Sequence, residues 1–232
     1  MTHFSPHLKA VLQALFVTFL WSTSWVLIKF GLADIPALTF AGLRYGLAFL
    51  CLLPFVLRPT YLAALRGLPG RDWLRLAGLG LLFYSITQGA QFVGLAYLPA
   101  VTVNLLLSFT NIIVPILGIF LLAESPTLLQ WLGGSLSVVG AIIYFYPAAV
   151  PTGQIFGLMV VAAGVLANAG SAVLGRHINR GAHLSPLLVT LVSMGIGSIA
   201  LLIVGISGQG FPPLSLSNWT IVAWLAVVNT AI

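Results

Sequence analysis

The sequence predicts an all-α polytopic membrane protein, and three observations carry that prediction. Only 5% of its 232 residues are charged and 60% are apolar, whereas soluble domains carry about 25% charged residues. Nine basic and three acidic side chains cannot cover a water-soluble body of this size. The apolar residues also gather into runs of about 20, the length a helix needs to cross a hydrocarbon core of roughly 30 Å. Between the runs lie short stretches of Pro, Gly, Asp and Ser, which stop helices.

In chain order, seven full spans are expected at 11–30, 37–57, 76–97, 101–123, 128–146, 155–175 and 186–206. An eighth run occupies 219–232, and fourteen residues at about 1.5 Å each reach only about 21 Å. The expectation is seven full spans plus a partial eighth. The first run follows His3, His7 and Lys9, as a signal peptide would. However, it is too long, and it ends in the bulky stretch at 25–30 instead of a small-residue cleavage site, so it reads as a retained span.

Orientation follows from Lys and Arg near the ends of the spans. Lys9, Arg58, Arg66, Arg71, Arg75, Arg176 and Arg180 fall on one side, while the segments 34–36, 98–100, 147–153 and 207–217 carry no Lys or Arg. This bias predicts a multi-pass protein of the cell (inner) membrane with a cytoplasmic N-terminus. It also assigns the net charge of +6 to topology, leaving no nucleic-acid partner.

Several chemistries are excluded. One cysteine, Cys51, allows no disulfide within the chain and no Cys-based metal cluster. Asp34, Asp72 and Glu124 are too scattered for paired-carboxylate catalysis. His3, His7, His177 and His183 lack metal-ligand spacing, and no glycine cluster is followed by the Lys-Ser/Thr of a phosphate loop. The chain is therefore expected to hold no cofactor and not to be an enzyme.

A weak self-similarity recurs at about 146 residues. Asp72-Trp73-Leu74 opens the third span and Asn218-Trp219-Thr220 opens the eighth, with Ala77 and Ala223 four positions past each Trp. Lys29 and Arg176 each lie five residues after a serine, Ser24 and Ser171. A repeat of five spans is odd, so its second copy enters the membrane inverted, as in many secondary transporters. The expected division is a first five-helix repeat at 1–147 and an incomplete second at 148–232.

Four segments, in this order and spacing, carry a family resemblance. They are LWSTSWVLIK at 20–29, Pro36 followed by FAGLRYGLAFL at 40–50, the run through Pro115 ending in LLAESPT at 121–127, and QWLGGSLSVVGAIIYF at 130–145. They resemble the EamA-type members of the drug/metabolite transporter superfamily. That resemblance implies a ten-span transporter of two inverted five-helix repeats with both termini cytoplasmic, moving small solutes such as amino acids, often outward. Its partners would be that solute and the lipid bilayer, with a homodimer left open. A polytopic enzyme acting on lipid and a non-transporting structural subunit remain as alternatives.

Polar groups inside spans mark candidate solute contacts, because burying them in hydrocarbon is costly. Arg44 lies about 10 Å along the second span, where snorkelling, attraction of substrate and a structural clamp are all open readings. Lys29, near a span end, reads as snorkelling, with Asp34 in reach. In the fourth span Asn104, Ser108, Asn111 and Pro115 are spaced four, three and four apart. That stripe either glues helices or lines a path, with unwinding expected near Asn111 because Pro115 cannot bond its carbonyl. The third span offers Tyr84, Gln88 and Gln91, the sixth Asn168 and Ser171, and the first Trp21 and Trp25 beside Ser24. The candidate substrate-binding set is Trp21, Trp25, Arg44, Tyr84, Gln88, Gln91, Asn104, Ser108, Asn111 and Asn168. Glu124 reads as an interface anchor or a partner for a basic residue. Gly133, Gly134, Gly140, Gly164, Gly170 and Gly175 read as close-packing positions.

Overall fold

The computed structural model describes residues 6–146, 152–181 and 184–231, and every regular element among them is helical. His3, His183 and most of the 147–153 segment lie outside the described residues, as do the side chains of His7 and Lys9. The elements are α1 (Pro6–Gly31), α2 (Ala37–Val56), α3 (Pro59–Arg66), α4 (Gly70–Gly80), a π-helical segment (Leu81–Thr87), α5 (Gln88–Tyr97), α6 (Ala100–Ser108), α7 (Thr110–Leu122), α8 (Leu128–Phe145), α9 (Ile155–Arg180), α10 (Pro186–Gln209), α11 (Leu216–Ala226) and a second π-helical segment (Val227–Ala231).

Seven stretches are long and apolar enough to cross a membrane, and they match the seven expected spans. The protein is an all-helical, multi-pass membrane protein. The boundaries shift in places: the sixth span runs on to Arg180 rather than ending at 175, and the seventh to Gln209 rather than 206. The third span begins at Gly70 rather than at 76. Residues 59–66, expected as a breaker stretch, form α3, because Pro59 stands at the first turn, where its missing N–H costs nothing.

Packing divides the spans into two groups. The second, third, sixth and seventh have 39–56% of their apolar windows buried, and the first, fourth and fifth only 11%. Close backbone approach explains the inner group. A methyl group on Gly205 of α10 would sit 2.6 Å from the Thr39 amide nitrogen of α2, and one on Gly197 would collide with the Gly80 carbonyl. By contrast, Gly133 and Gly140 of α8 face open space, so close packing does not account for them. Among the other expected packing positions, Gly134 meets Ile112, Gly164 meets Ala90, and Gly170 and Gly175 only graze leucines.

The third and eighth stretches are built alike. α4 starts at Gly70 and α11 at Leu216, 146 positions apart; each runs 11 residues, and each then widens into a π-helical segment, at Leu81 and Val227. They run in opposite directions. α4 begins at the end where Arg75 Nη2 lies 3.3 Å from His177 Nε2. α11 begins at the other end, where Asn218 Nδ2 donates to Asp34 Oδ2 at 3.2 Å. Their neighbours exchange accordingly: the third span packs on α9 and α10, and α11 on α1 and α2.

Candidate solute cavity

A cavity of about 480 Å³ lies between the two π-helical segments. The first segment contributes Phe83, Tyr84 and Thr87, the second Asn229 and Thr230. Widened turns of this kind often mark functional positions, and irregular backbone at membrane depth is tolerated where it lines a cavity. Both segments are braced by threonine hydroxyls reaching back five residues: Thr87 donates to the Leu82 carbonyl and Thr230 to the Leu225 carbonyl, each at 2.8 Å.

Arg44 is the charged element of this cavity and is only 6% exposed. It does not snorkel. Its Nε donates to Thr230 Oγ1 at 3.0 Å, and its guanidinium carbon lies 5.2 Å from the centroid of the Tyr45 ring. Tyr45 meets Tyr84 edge-on, and Tyr84 meets Phe83 likewise, which fixes an aromatic wall. The three ion pairs among the described residues lie elsewhere. A buried arginine without a carboxylate is expensive, by several kcal/mol.

Of the ten expected site residues the structure gathers seven here: Trp21, Trp25, Arg44, Tyr84, Gln88, Gln91 and Asn168. Ser24 joins them, its hydroxyl spent on the Trp21 carbonyl at 2.7 Å. Asn168 also donates to Thr110 Oγ1 at 3.3 Å, tying α9 to the fourth span.

The stripe of the fourth span is placed differently. Asn104 and Asn111 are exposed, and half-buried Ser108 donates to the Leu105 carbonyl of its own helix. None of the three lines the cavity. The reason is angular. Val103, Leu106 and Leu107 pack into the core, and at about 100° per residue the polar stripe is centred about a third of a turn away. Leu107 is the residue the fourth span presents to the cavity. The helix also breaks at Phe109 instead of near Asn111. There the amide bonds the Leu106 carbonyl in a tightened turn, and α7 then runs continuously through Pro115.

Tyr45, Phe83, Thr87, Asn229 and Thr230 were not foreseen as site residues. A signal for the last pair was present, since Phe83 and Tyr84 lie 146 positions before Asn229 and Thr230. Asn229 is buried; its Nδ2 donates to the Leu20 carbonyl, and its Oδ1 has no hydrogen-bond partner among the described residues.

At the end of the bundle that holds Arg75 and His177, Glu124 accepts from Arg176 Nη1 at 2.8 Å and from Arg180 Nη2 at 2.6 Å. The expected partnership with basic residues is therefore present. Ala123, at φ 52°, turns the chain so that its own amide and that of Glu124 both reach the Gly118 carbonyl. Asp34 pairs with Asn218, while Lys29 is exposed. A larger depression of about 910 Å³, lined mainly by apolar and small side chains such as Gly89, Ala90 and Ala163, lies towards the Asp34 end. Asp34 is the charged side chain among its lining residues.

Comparison with known proteins agrees with this architecture. The model of the EamA-like transporter family matches residues 8–146, more than half of the chain, and the chain belongs to that family. A protein of Bacillus subtilis (strain 168) named "Uncharacterized transporter YvbV" is 29% identical over 220 residues, covering 93% of this chain and 68% of the relative.

Proposed function

We propose that this EamA-family chain moves a small metabolite, of the size of an amino acid or related solute, outward across the inner membrane by alternating access around Arg44. The observation that carries the proposal is the meeting of two antiparallel π-helical segments, 146 positions apart, at one cavity holding a buried arginine. Inverted repeats place their substrate site between the halves, at discontinuous helices near mid-membrane. We assign the repeats to 1–147 and 148–232. The equal lengths of α4 and α11 and their exchanged neighbours support that division.

On this reading the N-terminus is cytoplasmic, and the cluster of Glu124, Arg176, Arg180, Arg75 and His177 marks the inner face. The positive-inside bias supports this orientation. The residues we assign to solute are Trp21, Trp25, Arg44, Tyr84, Gln88, Gln91 and Asn168, joined by Tyr45, Asn229 and Thr230.

The test is efflux from proteoliposomes holding the full chain and preloaded with isotope-labelled amino acids and monocarboxylic acids. At least one solute should leave faster than from empty liposomes, and Arg44→Gln should cut that flux at least tenfold. Absence of flux for the whole panel would refute the proposal.

A further inference from the structure

Resting on the transport reading above, we infer that the solute is a monoanion, a carboxylic acid with a neighbouring hydrogen-bond donor and an apolar body, and not a zwitterion. The charge inventory points there first. One cation and no acid line the cavity, and all three acids of the chain are engaged away from it. Asp34 holds Asn218, Asp72 holds Arg75, and Glu124 holds Arg176 and Arg180.

Arg44 has spent Nε on Thr230 and its ring-facing side on Tyr45. Its terminal nitrogens make no hydrogen bond to any described residue, and they form the fork that suits a carboxylate.

The second observation is independent of charge. Asn229 lines the cavity, and its Oδ1 is a buried acceptor without a hydrogen-bond partner among the described residues. Its orientation is set by chemistry, since only the Nδ2 group can donate to the Leu20 carbonyl. Asn229 adjoins Thr230, the residue bonded to Arg44. Both Arg44 and Asn229 line the same cavity, so the ligand that uses both carries an anion for Arg44 and a hydrogen-bond donor for Asn229, as a 2-hydroxy acid does. Trp25, Phe83 and Tyr84 supply an apolar wall for the rest of the molecule.

A zwitterion fits this site poorly. Its ammonium would share a low-dielectric cavity with Arg44 and meet only neutral acceptors, leaving a net positive charge buried. A phosphate monoester carries about −1.5 to −2, more than one arginine neutralises. A monocarboxylate brings the pair to zero.

The experiment is calorimetric titration of the purified full chain with 3-phenyllactate, phenylalanine, phenylalanine amide and phenyl phosphate, repeated with the isobutyl-bodied hydroxy acid, amino acid and amide. The hydroxy acid should bind at least tenfold tighter than the amino acid, and the amide should not register. Arg44→Gln should weaken hydroxy-acid binding at least tenfold, and Arg44→Lys, which keeps the cation, should weaken it less. Asn229→Asp, which places a second negative charge at the cavity, should weaken hydroxy-acid binding at least tenfold. Amino acid or amide binding as tight as the hydroxy acid, phenyl phosphate binding tightest, or an unchanged Arg44→Gln titration would overturn the monocarboxylate assignment and leave the cavity in place. No binding by any probe would overturn the assignment and the cavity together.

Discussion

Tyr84, Gln88 and Gln91 in the third span and Asn104, Ser108 and Asn111 in the fourth form polar stripes of nearly the same spacing, yet they end in different places. The third-span stripe faces the cavity, while Asn104 and Asn111 of the fourth are exposed. The third span belongs to the inner packing group, held by close contacts such as Gly80 against α10, with its π-helical turn kept within the bundle. The fourth is loosely packed, and its apolar residues Val103, Leu106 and Leu107 take the inward positions. A polar stripe thus reaches a cavity only when no stronger apolar stripe competes for the same direction.

The largest effect that would break this contrast is steric. Gly205→Leu forces a side chain into the α2 backbone and should cost about 3 kcal/mol or more, measured as thermal unfolding in detergent. Gly133→Leu on α8 points into open space and should stay within about 0.5 kcal/mol. Equal losses at both positions would remove the distinction between inner and outer spans.

Next comes transport itself. Gln88→Leu and Gln91→Leu keep side-chain volume but remove polar contacts, and each should lower flux about tenfold, equivalent to roughly 1.4 kcal/mol of barrier. Asn104→Leu and Asn111→Leu should change flux less than about twofold. The reverse pattern would restore the fourth-span stripe as the path.

How much of this was legible in the sequence depended on the length scale of the signal. Seven spans were readable because a hydrocarbon core sets their length, and the likeness of the third and eighth stretches was readable from Trp73 and Trp219. The burial of Arg44 was not, because snorkelling and burial share one sequence pattern and only the position of Thr230 decides between them. Neither was α-to-π widening at Leu81 and Val227, since hydrogen-bond register leaves no simple mark in composition. The polar pair Asn229–Thr230 was visible in an apolar run, but its partner, the Leu20 carbonyl, lies 209 residues away.

Two smaller effects sharpen the comparison where inner and outer spans meet. Asn168→Ala removes the hydrogen bond to Thr110 across α9 and α7 and should cost about 0.6 kcal/mol, with about 2 as the upper bound. A loss well above that would mean that Asn168 holds the bundle together. Glu124→Gln disrupts the pairs with Arg176 and Arg180, whose side chains are 47% and 53% exposed. Such exposed pairs contribute up to about 1 kcal/mol each and are screened by salt. The difference from wild type in unfolding temperature should therefore shrink as salt rises; a constant difference would point to a buried role for Glu124.

The most direct test of the central claim, that solute passes the cavity around Arg44, uses single cysteines in a Cys51→Ser background. Flux from proteoliposomes is measured before and after methanethiosulfonate labelling at Gln91→Cys and at Asn104→Cys. Labelling at position 91 should cut flux at least tenfold, with the transported solute slowing the reaction, while labelling at position 104 leaves flux within about twofold of its starting value. Full flux after complete labelling at position 91, or a block at position 104 alone, would contradict the account.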